Sequence, residues 1–81
     1  MKDRYADGVV SKSAVEVRSS VATQLKDTRL QLNMTQQTLA ERAGTQKSNI
    51  SRMESGMYNP SLDFLVKIAD CMGKKLDIKL D

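Results

Sequence analysis

The side chains with the clearest chemical potential form a short polar and basic set in the second half of the chain. Lys47, Ser48 and Arg52 are spaced i, i+1 and i+5, so a helix would expose them together. Ile50 and Met53 supply the apolar contacts of the same helix. Lysine and arginine donate to guanine O6 and N7, serine donates or accepts, and this face carries no acid to repel phosphate. Any solvated helix surface could carry such a set, so the neighbouring elements decide its meaning.

Two short helices and a tight turn surround this set. Thr35 is a candidate N-cap for a helix ending at Gly44, and Thr45 for a helix over about residues 46–55. Ala40 is small where two helices must cross closely, and Gly44 can adopt the positive φ that reverses the chain. Two short helices joined by a turn of three or four residues are the arrangement of the helix-turn-helix DNA-binding unit.

The remaining signals predict an all-α fold of four to five helices. Ser13 followed by Glu16 forms a capping box, which predicts a first helix from residue 14 to about Asn33. Ser61 is the candidate cap of a fourth helix, which Gly73 stops. The apolar positions expected to face the core on these two helices are Val15, Val21, Ala22, Leu25, Leu32, Leu62, Leu65, Ile68, Ala69 and Met72.

Length and composition bound the possible functions. The 81 residues make one small domain, predicted as a flexible arm over residues 1–12, a helix-turn-helix domain over 13–73 and a C-terminal segment over 74–81. The net charge of +3 is compatible with a polyanionic partner. Histidine is absent and Cys71 is the single cysteine, so we expect no metal, no cofactor, no disulfide and no catalytic constellation. No signal peptide or membrane span is evident, and we expect a cytoplasmic protein that is not an enzyme.

The C-terminal segment alternates strictly between polar and apolar residues, which predicts a half-buried β-strand. Leu76, Ile78 and Leu80 share one face of this strand. A lone strand cannot satisfy its own backbone groups, and a chain this short is often stabilised by a partner chain. We therefore expect two tails to pair antiparallel in a homodimer; pairing with Val9-Val10 or with a different protein are the alternatives.

The central motif resembles the phage repressor/Cro-type (XRE) helix-turn-helix family. The residues that carry the resemblance are Met34-Thr35-Gln36-Gln37-Thr38-Leu39-Ala40-Glu41-Arg42-Ala43-Gly44, then Ser48-Asn49-Ile50-Ser51-Arg52-Met53-Glu54-Ser55-Gly56, and Asn59-Pro60-Ser61-Leu62. The similarity extends over about residues 21–73. It implies a lambda-repressor-like DNA-binding domain.

Specific roles follow from the same resemblance. It implies base contacts from Lys47, Ser48 and Arg52, and an ion pair between Arg29 and Glu54 that ties the first helix to the recognition helix. The positions that match phosphate contacts in the family are Thr35, Gln36, Gln46, Ser55 and Asn59.

These observations together predict a transcriptional regulator of double-stranded DNA. Two recognition helices in a homodimer would read an inverted repeat with half-sites about 34–36 Å apart, most simply as a repressor. The tail after the fourth helix also resembles HigA/HipB-type antitoxins, which implies a toxin protein as a possible further partner. The alternative is a module that uses this fold to bind protein only; such a module should expose apolar residues on its recognition helix.

Overall fold

A computed structural model describes residues 10–81, and four helices make up the regular structure in this range. They are α1 (Lys12–Gln31), α2 (Gln36–Ala43), α3 (Lys47–Glu54) and α4 (Leu62–Cys71). The all-α class is therefore confirmed. Within the described range no helix is both long enough and apolar enough to cross a membrane. The greater part of the predicted arm, residues 1–9, lies outside the described residues.

The helix starts confirm two of the four predicted caps. The hydroxyls of Thr35 and Ser61 accept from backbone N–H groups three residues later, as expected of N-caps. The cap at Ser13 is wrong: Ser11 accepts from the backbone N–H of Ala14 at 3.1 Å, and α1 begins two residues before the predicted start. Because the two serines are only two residues apart, both offered the same local signal.

The predicted cap at Thr45 is also wrong. Its hydroxyl accepts from the side-chain amide of Asn49 at 2.8 Å, so it is not used on the backbone. Gln46 occupies the N-cap position and forms no side-chain capping bond. The recognition helix therefore begins at Lys47 with an open N-terminus.

The core lies between α2, α3 and α4, with the C-terminal half of α1 against it. Leu39, Ile50 and Ile68 have no exposed surface, Leu25 of α1 belongs to the same cluster, and Ala22 of α1 is also buried. Three helices of eight to ten residues span about 12–15 Å each, whereas the 20 residues of α1 span about 30 Å. No residue of α1 before Ala22 is buried, because the short helices cannot cover its whole length.

Three positions expected in the core are exposed instead. Val15 is 46% exposed, Leu32 is 41% exposed and Leu62 is 56% exposed. Val15 lies on the uncovered half of α1, Leu32 is the C-cap of α1, and Leu62 is the first residue of α4. Helical spacing alone placed these residues in the core, but their positions at the ends of helices leave them without a covering layer.

The tail forms no strand in the single chain. After Gly73, the N–H of Lys74 closes α4 by donating to the carbonyl of Ala69 at 2.9 Å. Leu76 is half-buried against the core, whereas Ile78 and Leu80 are exposed. Within residues 10–81, the backbone groups of residues 75–81 make no hydrogen bond. Among residues 10–81 no neighbouring strand pairs with the tail, so the predicted strand and its pairing are not shown.

Candidate nucleic-acid interface

The helix α3 has one buried side and one exposed side. Ile50 and Met53 are 0% and 2% exposed and anchor it to the core. Lys47, Ser48 and Arg52 all lie on the exposed side. Within the described residues, the ammonium of Lys47 and the guanidinium of Arg52 form no salt bridge. The exposed side of α3 therefore carries two cations without a partner among the described residues. The apolar side of the helix fixes its orientation.

Ser51 is a residue of this surface to which the sequence pattern assigned no role. At about 100° per residue, it lies between Lys47 and Ser48 around the helix axis, close to the centre of the exposed side. Its side chain is exposed. Helical spacing in the sequence already places Ser51 on this outer face, and the family resemblance assigns it no contact.

The N-terminus of α3 is open to an anion or a base acceptor. Gln46 is exposed, and its extended backbone ends the turn from α2 without a side-chain cap. The first N–H groups of a helix have no partner within the helix, and the helix dipole adds partial positive charge at this end. The ammonium of Lys47 adds a full charge at the same end.

The N-terminus of α2 lies beside the start of α3. Thr35, Gln36, Asn33 and Lys47 line one open hollow between the end of α1 and these two helices. Thr35 is exposed, and its hydroxyl accepts from the N–H of Thr38 at 3.0 Å. The structure thus brings two predicted phosphate contacts next to one predicted base contact.

A buried ion pair joins α1 to the end of α3. Arg29 Nε donates to Glu54 Oε2 at 2.6 Å and its Nη2 donates to Oε1 at 3.0 Å. The third contact of this guanidinium is from Nη1 to the carbonyl of Met34 at 2.6 Å. The side chains of Arg29 and Glu54 are only 7% and 3% exposed. The pair expected from the resemblance is therefore present as a bidentate fork, and it also holds the turn before α2.

Gln36 extends this network to α2. Its amide nitrogen donates to Glu54 Oε1 at 3.0 Å, so the carboxylate of Glu54 receives bonds from both neighbouring helices. An amide nitrogen carries two protons. One is used on Glu54, and the second has no acceptor among the described residues.

Ser55 and Asn59 follow α3 and differ in their freedom to contact DNA. The hydroxyl of Ser55 donates to the carbonyl of Arg52 at 2.6 Å and accepts from the N–H of Met57 at 3.2 Å. Its single proton is thus engaged, and it must rotate before it can donate to phosphate. Asn59 is exposed on the loop to α4, with no such bond among the described residues.

Gly56 fixes where this loop starts. It has φ +75°, and a Cβ at this position would lie 3.2 Å from Cα and Oγ of Ser19. The end of the recognition helix therefore packs directly against the backbone of α1. Together with the pair between Arg29 and Glu54, this contact fixes the end of α3 at two places on α1.

The arrangement defines a helix-turn-helix domain: α2 and α3 meet at Gly44, which has φ +65°, and α3 exposes a basic surface. Comparison with known proteins agrees with this class. The helix-turn-helix family model HTH_3 matches residues 25–79. The chain therefore belongs to the HTH_3 family of DNA-binding transcriptional regulators.

Two archaeal relatives are described as uncharacterized HTH-type transcriptional regulators. One, from Archaeoglobus fulgidus, is 42% identical over 55 residues, which are 68% of this chain and 78% of the relative. Another, from Methanothermobacter thermautotrophicus, is 38% identical over 53 residues, which are 65% of this chain and 77% of the relative.

Two solved structures are similar in fold. An HTH_3 family transcriptional regulator from Vibrio cholerae superposes with a TM-score of 0.72 at 27% identity, covering 76% of this chain and 35% of that one. This chain thus matches only about a third of that regulator. A toxin–antitoxin module from Streptococcus pneumoniae superposes with a TM-score of 0.66 at 26% identity, covering 99% of this chain and 94% of that one.

Proposed function

We propose that this chain is a sequence-specific repressor that binds an inverted-repeat operator as a homodimer, with α3 in the major groove. The observation that carries the proposal is the exposed side of α3, where Lys47 and Arg52 are unpaired and no carboxylate is free. Glu54, the acid of this helix, is buried and neutralised by Arg29. A basic helix face without competing acids suits base edges between two rows of phosphates.

The residues divide into two roles. Arg52, Lys47 and Ser48 contact base edges and give sequence preference. The N-terminus of α2, with Thr35 and Gln36, binds backbone phosphate and sets the position of α3 in the groove. The further phosphate contacts in this proposal are Gln46, Ser55 and Asn59, with the hydroxyl of Ser55 rotating on binding.

The test begins with selection of preferred sites from a random duplex pool, followed by affinity measurements on those sites and on scrambled DNA. Arg52→Ala should weaken the selected site by about 1–3 kcal/mol and relax its sequence preference. Gln36→Ala should weaken both DNAs equally. Arg42→Ala is the matched control, because Arg42 is exposed in the last turn of α2 and outside the α3 surface. Failure to enrich any sequence would favour a module that binds protein only.

The homodimer forms through the tail in this proposal. Ile78 and Leu80 are 62% and 95% exposed on an otherwise alternating segment, and pairing of two tails would cover them. Removal of residues 78–81 keeps Leu76 on the core and should give monomers by sedimentation equilibrium. A truncated chain that remains dimeric would refute pairing through the tail.

A second candidate role is that of an antitoxin that represses its own operon. The similarity to the toxin–antitoxin module from Streptococcus pneumoniae favours it, because the match includes nearly the whole of both chains. The partner would then be a toxin protein. Co-expression with the product of an adjacent small reading frame tests this role: a stable complex and relief of growth arrest support it, and arrest that the chain does not relieve contradicts it.

A further inference from the structure

The tail carries an alternating order of charge as well as of polarity. Reading from residue 75, the polar positions are Lys75, Asp77, Lys79 and Asp81, so their charges run plus, minus, plus, minus. The residue at the centre of this seven-residue segment is Ile78. Reversal of the segment therefore exchanges every cation with an anion, which is the property that an antiparallel pair of identical strands needs.

We propose that two copies pair through this segment in a single register, with Ile78 of each copy on the two-fold axis. In this register Asp77 lies opposite Lys79 of the partner subunit, and Lys75 lies opposite Asp81 of the partner subunit. Symmetry makes each pair occur twice. Opposite charges directly across an antiparallel ladder are stabilising, and like charges there are destabilising.

The neighbouring registers fail on charge. The nearest registers that keep polar residues opposite polar residues have either Asp77 or Lys79 on the two-fold axis. In the first, Asp77 lies opposite its own copy, and in the second, Lys79 does. A shift by one places polar residues opposite apolar ones, because opposed residues point to the same side of the ribbon. A parallel pair in register would place every charge opposite its own kind. The antiparallel register centred on Ile78 is thus the one that satisfies all seven positions.

The structure leaves the segment ready to pair. Among the described residues, the backbone groups of 75–81 have no hydrogen-bond partner. Lys79 and Asp77 approach within one chain at 3.8 Å, but their side chains are 85% and 65% exposed. An exposed pair of this kind contributes little, so exchange for the same contact across the axis costs almost nothing.

The register also gives Leu80 a place to bury. It lies opposite Leu76 of the partner subunit and points to the same side of the ribbon. In one copy, Leu76 borders a hollow of about 170 Å³ between the tail, α1 and α4. The apolar lining of this hollow includes Val21, Leu25 and Ala69. A second copy thus brings its most exposed leucine to the edge of this hollow, next to the half-buried side chains of Val21 and Leu76.

A disulfide across the axis tests the register. In a Cys71→Ala background, Ile78→Cys places two thiols directly opposite, where Cα atoms are about 4.5–5.5 Å apart and within disulfide range. Leu80→Cys is the matched control, because its two copies would lie about 13 Å apart along the ribbon. Mild oxidation should convert most of the first variant and little of the second to covalent dimer. Equal yields, or none from Ile78→Cys, would overturn the register.

Charge exchange tests the pairing without a covalent bond. Lys79→Asp places an acid opposite Asp77 twice per dimer and should raise the dimer dissociation constant about tenfold. Adding Asp77→Lys should restore it to within about twofold. Lys74→Asp makes the same change in net charge outside the seven-residue segment. An equal effect of Lys74→Asp and Lys79→Asp would show that net charge, not register, decides association.

The inference rests on the proposed homodimer, and its measurements use no DNA. A correct disulfide pattern without operator binding would contradict the proposed function and leave the register standing. Operator binding together with equal crosslinking of both cysteine variants would contradict the register and leave the proposed function standing.

Discussion

The recognition end of the molecule consists of α2, α3 and the fork between Arg29 and Glu54. This end and the C-terminal tail each contain an ion pair, but the two pairs differ in burial and length. Both bring a cation to a carboxylate. The fork between Arg29 and Glu54 has side chains that are 7% and 3% exposed and contacts of 2.6 and 3.0 Å. The contact between Lys79 and Asp77 is 3.8 Å long, between side chains that are mostly in solvent. The first fixes one geometry within a single chain, and the second leaves its charges available to another chain.

The two regions differ in how firmly the single chain holds them: the end of α3 is fixed by buried contacts, and the tail is not. At the recognition end, Glu54 accepts from Arg29 and Gln36, and its orientation is thereby determined before DNA arrives. At the tail, the backbone groups of residues 75–81 have no hydrogen-bond partner among the described residues, and Ile78 and Leu80 are exposed. The recognition helix should therefore keep its pose at any protein concentration, whereas the order of the tail should depend on concentration.

The largest expected effect comes from breaking the buried fork. Glu54→Leu leaves the guanidinium of Arg29 buried without its carboxylate, which should lower the free energy of unfolding by about 3–5 kcal/mol. Adding Arg29→Met removes the unpaired charge and should recover a large part of this loss. Urea denaturation of both variants measures the two values. If Glu54→Leu alone lowers the free energy of unfolding by less than about 1 kcal/mol, water reaches the guanidinium of Arg29 freely.

The next effect concerns the close contact between the recognition end and α1. Gly44 and Gly56 both have positive φ, but a Cβ on Gly44 would meet nothing within 4 Å, whereas one on Gly56 would press on Ser19. Gly44→Ala should cost about 1 kcal/mol of backbone strain, and Gly56→Ala about 2 kcal/mol because the end of α3 must also move. Urea denaturation measures both losses from the shift of the midpoint, with the slope of the transition unchanged between the variants. Equal losses of unfolding free energy in the two variants would mean that α1 moves away from the new Cβ without a measurable loss of stability.

The sequence was most informative where a residue type has a local duty. The caps at Thr35 and Ser61 and the turn at Gly44 could be predicted because each depends on a few neighbouring backbone groups. The cap at Ser13 failed for the same reason, since Ser11 offers an equal local signal. No local rule could choose between them.

Features that depend on distant parts of the chain were harder to predict. Helical spacing placed Val15 and Leu32 in the core, but burial depends on how far the other helices reach along α1. The bond from Gln36 to Glu54 joins residues 18 apart and has no sequence signature. The contact of Gly56 with Ser19 likewise arises from packing of a loop on a helix. The fork between Arg29 and Glu54 was anticipated through family resemblance, which carries such distant contacts with it.

The smallest expected effect is on the tail of the monomer. Lys79→Gln removes one member of an exposed pair, and exposed pairs contribute about 0–1 kcal/mol. At concentrations low enough to give monomers, this variant should unfold within about 0.5 kcal/mol of the parent, as measured by urea denaturation. At higher concentrations it should associate less tightly, because two contacts across the axis are lost. A clear loss of stability in the monomer would mean that the tail is held within its own chain, and the contrast with the recognition end would then fail.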